Sequence, residues 1–327
     1  MNRILAFVFV CLAATYSAAQ PAADNASLAA IEGNSETERQ AKASVRSVEL
    51  PDRNPVELKV FARLGPGPAK ENSGIVKSRQ HADVFWMHND SGDEPRIYPI
   101  HINGEVYKSE RYPGTPGVLI GGAINVDWED IAVDSEGHVI VADFGNGRSD
   151  RRDLVLYYVD EPSPLAGRTT FKRKVFFRYP DQSAVPAPKN DFNYDAEAIY
   201  VIGATVYVLT KHRSDSHTKL YRLDSTKPNQ TNPLTYIDRF DIQGQAVGAD
   251  ASPDGKRVVV ITYDAIWLFE LAGESDNIFD GSIRWLPYDS PQVEAICFAD
   301  ADTLLLGDEV EGVLYKVAID DLIQVSR

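Results

Sequence analysis

The chain has 327 residues, 48 acidic against 33 basic, with a formal net charge of −15 at neutral pH. That sign excludes nucleic acid and anionic membrane as expected partners, because both would repel it. The 43% of hydrophobic residues is enough for a large core, and the acidic surplus suits cationic ligands or metal ions, or serves solubility alone.

In chain order, residues 1–19 read as a secretory signal. Arg3 supplies the positive charge, residues 4–14 form an apolar run too short to span a bilayer, and Ser17, Ala18 and Ala19 offer a small-residue cleavage site. A secreted or periplasmic protein is expected, with no membrane span once the signal is cut. Cys11 would leave with the signal. Cys297, inside an apolar run, is expected to be a buried, unreactive thiol. Residues 20–53, rich in Ala, Ser, Glu and Asn without a sustained period, read as a disordered linker. Residues 54–327 remain as one domain.

From Val56 onward, short alternating or apolar runs are separated by Gly, Pro, Asp and Asn, the pattern of an all-β protein. Five times such a run opens in the same way. Glu71, Asp127, Asp195, Gln245 and Gln292 stand two places before Ser73, Glu129, Glu197, Val247 and Glu294. A full copy holds four runs. They fall at 129–133, 138–142, 154–159 and 171–178 in the second copy, and at 197–202, 205–210, 219–223 and 234–240 in the third. In the fourth they fall at 247–251, 257–262, 266–271 and 282–287, with a Ser-Pro-Asp-Gly turn at 252–255. The third run of every copy carries an aromatic (Tyr98, Tyr157, Tyr221, Trp267, Tyr315), expected to pack between neighbouring sheets. The fifth copy has only three runs, and residues 56–63 supply the missing outer strand. The reading is a β-propeller of five four-stranded blades closed by an N-terminal strand. Six blades, the alternative, would need a copy that the sequence does not contain.

In a propeller the start of the first strand and the end of the second meet on one face. The second-strand ends are Asn89, Asp143, Lys211, Tyr263 and Asp308, and one interval separates 129 from 143, 197 from 211 and 294 from 308. A polar funnel is expected, with rings led by Glu71 and by Ser73 above an aliphatic layer of Ile75, Ile131, Ile199, Ala249 and Ile296. His88, Asp90, His212 and Glu309 stand beside it. Clustered carboxylates repel unless something cationic compensates them. Glu129, Glu197 and Glu294 therefore either cap backbone amides of the adjacent blade, hold a divalent cation, or act directly in catalysis. Calcium suits an all-oxygen donor set. Zinc suits it less, since His88 and His212 are the only imidazoles in register. Asp143, Lys211 and Asp308 are the candidates to orient water or substrate. The loop 89–94 offers oxygens for a cation or forms an Asx turn, and Arg148, Arg151 and Arg152 either clamp an anionic substrate or neutralise the rings.

No Gly-x-Ser-x-Gly elbow, glycine-rich phosphate loop or His-Glu-x-x-His motif occurs. The runs beginning at Asn72, His88, Asp127, Asp143, Arg151, Asp195, Thr210 and Ser252 together resemble a family of exported bacterial β-propeller proteins loosely described as phytase-like or esterase-like. Gly147 departs from that pattern, standing where a further polar residue is expected. The resemblance implies calcium-dependent phosphoester or ester hydrolysis at one end of the channel. The expected protein is a monomer with a small-molecule or protein ligand at the channel face. It is either a metal-assisted hydrolase of phosphoester, ester or lactone substrates, or a non-catalytic binding scaffold.

Overall fold

The computed structural model describes residues 45–326 except 110, 112, 113 and 291. The segment expected to be a signal and the expected linker as far as residue 44 lie outside the described residues. The strands form five sheets whose blades are antiparallel, four of them from consecutive runs of the chain. Blade 1 contains Asn72–Lys77, Phe85–Asn89, Arg96–Ile100 and Val118–Gly121; blade 2 contains Trp128–Val133, His138–Asp143, Val155–Asp160 and Arg173–Arg178. Blade 3 contains Asp195–Ile202, Thr205–Lys211, His217–Arg222 and Thr235–Asp241, and blade 4 contains Ala246–Ala251, Arg257–Thr262, Ala265–Glu270 and Ser282–Asp289. Blade 5 takes Val293–Phe298, Thr303–Asp308 and Val313–Ala318 from the end of the chain and Val60–Arg63 from its beginning.

The protein is a five-bladed β-propeller closed by an N-terminal strand, as the repeat predicts. Closure is visible in the core. Five apolar clusters each fill the seam between two adjacent blades, and the last joins Ile75, Met87 and Tyr98 of blade 1 to Ala295, Leu305 and Leu314 of blade 5. The third-strand aromatics fall one to each seam and are all buried, as expected. The aliphatic layer differs from its expectation. Ile75, Ile131, Ile199, Ala249 and Ile296 pack in those same seams, so they are wedges between blades and not a floor beneath the glutamates.

The physical reason is a bulge common to all five blades. The pairing of first and second strands slips between Asn72 and Gly74, Trp128 and Asp130, Ala196 and Ala198, Ala246 and Gly248, and Val293 and Ala295. The skipped residues are Ser73, Glu129, Glu197, Val247 and Glu294. A bulge inserts one unpaired residue, bends the strand and re-aims the side chain. The strict alternation that would stack 73 over 75 is broken at that point in every blade.

Outer edges are covered by short parallel strands. Arg168–Thr170 of blade 2 pairs with the last strand of blade 1, Thr231–Pro233 of blade 3 with that of blade 2, and Val56–Glu57 with that of blade 4. In each case the covering strand immediately precedes the outer strand of the next blade, so one latch repeats around the ring and blunts an otherwise open edge. The run 56–63 is thus two strands with separate partners. Arg46 bridges Phe240 at the edge of blade 3, and Val48 joins the seam between blades 3 and 4, so residues on the linker side of position 54 lie against the blades. Among the described residues no helix is long and apolar enough to cross a membrane. Cys297 is fully buried and unpaired.

Candidate functional site

The bulged residues and the second-strand ends meet on one face and divide into two halves. One half is neutralised. Lys211 Nζ lies 2.5 Å from Glu197 Oε2 and donates to the Tyr263 hydroxyl at 2.8 Å. Tyr263 in turn donates to Glu294 Oε1 at 2.8 Å. Arg213 lies 2.7 Å from Asp195 and 3.3 Å from Glu197. Burial pushes the Glu197 carboxyl up and Lys211 opposes it; burial likewise raises Glu294, opposed by Tyr263 and Lys211.

The other half has no such partner. Oxygens of Asp90, Asp127 and Glu129 lie within 4.8 Å of one another. Among the described residues, none of these three carboxylates forms an ion pair, and no group donates a hydrogen bond to the side chains of Asp127 or Glu129. Glu129 is only 7% exposed. Its carboxyl is held well above the usual range by burial and then by Glu197, Asp90 and Asp127. Asp127 is pushed up to about 6 by burial and by Asp90, and Asp90 is raised by burial against the opposing Ser91 amide. Glu309, on the same face, is pushed up to about 7 by burial and the Glu294 charge. Such shifts mean that like charges face one another in a poorly hydrated site.

Gly145 makes room for this half. A Cβ there would overlap the carboxylates of Glu129 and Asp127. Gly147, the departure from the family pattern, lies under the guanidinium of Arg213, where a Cβ would stand 3.1 Å from Nε. A small residue at 147 lets Arg213 close over Asp195.

The remaining candidates fall elsewhere. Asp143 accepts from the amide of Asp127 at 3.1 Å and pairs with Arg151 at 2.9 Å, which also donates to the Gly145 carbonyl. Asp308 accepts from the amides of Val310 and Glu311 at 3.0 and 2.7 Å. Both are clamps on the loops that carry the site. Asn89 donates to the Gly67 carbonyl and, at 2.6 Å, to Asp93, so the loop 89–94 is a hydrogen-bonded turn from which Asp90 joins the acidic cluster. His88 has no exposed surface and packs edge-on to Trp128 at 5.8 Å; burial lowers its pKa to about 4, leaving it neutral. Arg148 is 84% exposed beside Asp150, and Arg152 donates to the Val185 carbonyl. His212 is buried and bonded to Asp215.

The three glutamates proposed together as ligands are therefore divided. Glu129 clusters with Asp90 and Asp127, while Glu197 and Glu294 hold Lys211 and Tyr263. Asp127 stands in the sequence-derived upper ring and is drawn to Glu129 by the bulge. Arg213 and Gly145 carry no repeat signal and emerge only from the folded loops.

No family model and no curated protein matches the chain. Solved structures give distant likenesses. A protein assigned as a gluconolactonase is 10% identical over 84% of this chain and 96% of its own, with a TM-score of 0.44. The PQQ-bound aldose sugar dehydrogenase of Streptomyces coelicolor is 10% identical over 80% and 98%, also at 0.44. The β-propeller domain of Myceliophteria thermophila Cps50 (Swd1) is 9% identical over 80% and 99%, at 0.43. No residue role is transferred from any of them.

Proposed function

We propose that this propeller is an exported monomer whose channel face binds a hard divalent cation, Ca²⁺ first among them, and uses it in metal-assisted hydrolysis of a phosphoester, ester or lactone. The observation that carries the reading is the unpaired trio Asp90, Asp127 and Glu129. Calcium bonds oxygen at about 2.3–2.6 Å, so two of its ligands stand up to about 5 Å apart, a span that accommodates oxygens lying within 4.8 Å of one another. Its charge would relieve the repulsion that raises Asp127 and Glu129. A bound cation polarises a phosphoryl or carbonyl oxygen and activates water. The chain's own contribution is positive charge beside that oxygen. Lys211, held by Glu197 and Tyr263, has lost the freedom of its long side chain and stands ready to receive an anionic substrate atom.

Thermal unfolding with calcium and with chelator tests the cation. Ligand at a hundred times Kd adds about 2.7 kcal/mol of stability. The midpoint should rise with Ca²⁺ and the rise should vanish in Asp127→Asn; no shift with Ca²⁺, Mg²⁺ or Mn²⁺ would sink the metal reading. A panel of phosphoester, ester and lactone substrates tests the chemistry. A cation-binding protein inactive on all three would leave the channel face as a binding scaffold.

A further inference from the structure

A second cluster of donor atoms lies on blade 3, in the connection that follows Lys211. His212, Asp215 and His217 each offer an atom within 4.8 Å of the others. His212 Nδ1 lies 2.5 Å from Asp215 Oδ1, and His217 Nδ1 lies 3.4 Å from the same oxygen. The chemistry differs from that of the carboxylate trio, because two imidazoles and one carboxylate suit a borderline transition metal better than calcium.

One further observation marks the cluster as more than a hydrogen-bonded turn. Nδ1 of His217 is buried with no hydrogen-bond partner, although Asp215 Oδ1 lies 3.4 Å away. An unsatisfied buried polar atom costs about 1–3 kcal/mol, and a metal held between the two would satisfy it. The carboxylate is also held from behind. Asn193 Nδ2 donates to Asp215 Oδ2 at 3.1 Å, while its Oδ1 accepts the Ser214 amide at 3.0 Å. That is the supporting hydrogen bonding that orients metal ligands.

We infer that His212, Asp215 and His217 form a zinc-class metal site separate from the carboxylate trio, with the fourth coordination position open. Tetrahedral zinc, with bonds of about 2.0–2.1 Å, sets its donors about 3.4 Å apart. The His217 to Asp215 distance already has that value. The His212 to Asp215 contact must lengthen by roughly 1 Å to reach it, and the Asp215 side chain, 35% exposed, has room to swing. Three protein ligands with one open position is the donor count of a reactive zinc centre and not of a closed structural one. The sequence hides this site because His217 lies beyond a turn, at the start of the third strand, outside the register of the channel-face rings.

The test is titration of metal-free, full-length protein with Zn²⁺ followed by calorimetry, and with Co²⁺ followed by visible absorption. One Zn²⁺ per chain and an intense tetrahedral Co²⁺ spectrum are expected. Both should be lost in His217→Ala and in Asp215→Asn, with His217→Gln as a size-preserving substitute should the alanine variant misfold. Both should persist in Asp127→Asn, which removes a calcium ligand. Zinc binding that survives in His217→Gln and Asp215→Asn, zinc binding that disappears with Asp127→Asn, or no stoichiometric binding at all would each overturn the proposal. Failure of the calcium reading alone leaves these readouts unchanged, so the two sites are separable.

Discussion

Lys211 stands 2.5 Å from Glu197, at the end of one strand and at the bulge of its partner strand in the same blade. The bulge carries the acid forward to the strand end, so an interval in the sequence becomes an ion pair. Both side chains are buried, Lys211 to 5% and Glu197 to 4% exposure.

Removing the cation from such a pair leaves a buried carboxylate uncompensated. Lys211→Met is expected to lower stability, by less than the roughly 3–5 kcal/mol that breaking a fully charged buried pair from one side costs. Burial already raises Glu197 to about 8 against the opposing Lys211, so without Lys211 the carboxyl rises further and stays protonated at neutral pH. The loss should therefore be nearly constant below about pH 7 and grow as pH rises to about 9, where the wild-type carboxyl ionises beside Lys211 and the variant's does not. Urea unfolding at pH 6.5 and pH 9 measures the difference. The double variant Lys211→Met with Glu197→Gln should recover part of the loss at pH 9, and a loss that shrinks as pH rises would contradict the pairing.

Gly145→Ala probes the acidic trio without changing its charge. The added methyl would occupy the space beside Glu129 and Asp127. The atoms it meets are the ends of side chains, and the backbone of Gly145 is not left-handed, so the fold should tolerate it with a loss of about 1 kcal/mol or less. Calcium stabilisation, however, should disappear. A Gly145→Ala protein that keeps the full calcium-induced shift in unfolding midpoint would place the cation elsewhere.

The ring of blades and its closure were legible because each blade repeats a local code: a polar opening, an aliphatic run, and an aromatic in the third strand. Blade seams bury that aromatic wherever it recurs, so Tyr98 and Trp267 report the same environment without knowledge of their neighbours. The slip at Glu129 was not legible, because register belongs to a pair of strands and both members read as regular. The same slip moved Ile131 from the channel into a seam. The latches, such as Thr231–Pro233, are three polar or turn-forming residues stabilised by an edge they happen to meet, and no periodicity marks them. In the site, residue types were readable but partnership was not. Arg213 decides which acids are neutralised, and its guanidinium lies in the space that Gly147 leaves free.

Calcium stabilisation should grow with pH. Asp127, held at about 6, and Glu129, raised well above the ordinary carboxylate range, keep protons in the folded protein that an unfolded carboxyl with pKa near 4 has released. The contribution of these raised groups is therefore greatest below about pH 4, declines as pH rises through the folded values, and is absent above them. A cation replaces those protons, so the gap between unfolding midpoints with calcium and with chelator should widen from pH 5 to pH 7.5. His88 and His212, kept neutral by burial, act in the opposite sense below about pH 6.5. They contribute equally with and without calcium and cancel in the difference. A gap that narrows over this interval would mean that the trio is not the calcium site.

Asp130, next to the bulged Glu129, is 1% exposed and holds the centre of the ring. Its Oδ2 accepts the amide of Ile199 in blade 3 at 2.7 Å and that of Ala249 in blade 4 at 3.4 Å, while Oδ1 accepts its neighbour Ile131 at 2.8 Å. One side chain thus ties three first strands together just beneath the acidic site. Burial raises its carboxyl while the amides of Ile199, Ile131 and Ala249 oppose the rise, so its role in the fold is that of an acceptor. Asp130→Asn keeps one carbonyl acceptor and is expected to lose about 1 kcal/mol, whereas Asp130→Ala strands two or three amides and should lose about 3 kcal/mol. The alanine variant should also weaken calcium, because Glu129 is positioned by the strand that Asp130 pins. Chemical denaturation and calcium titration of the two variants check both effects. An alanine variant as stable as the asparagine variant would show that those amides find other partners and that the ring is not held at this point.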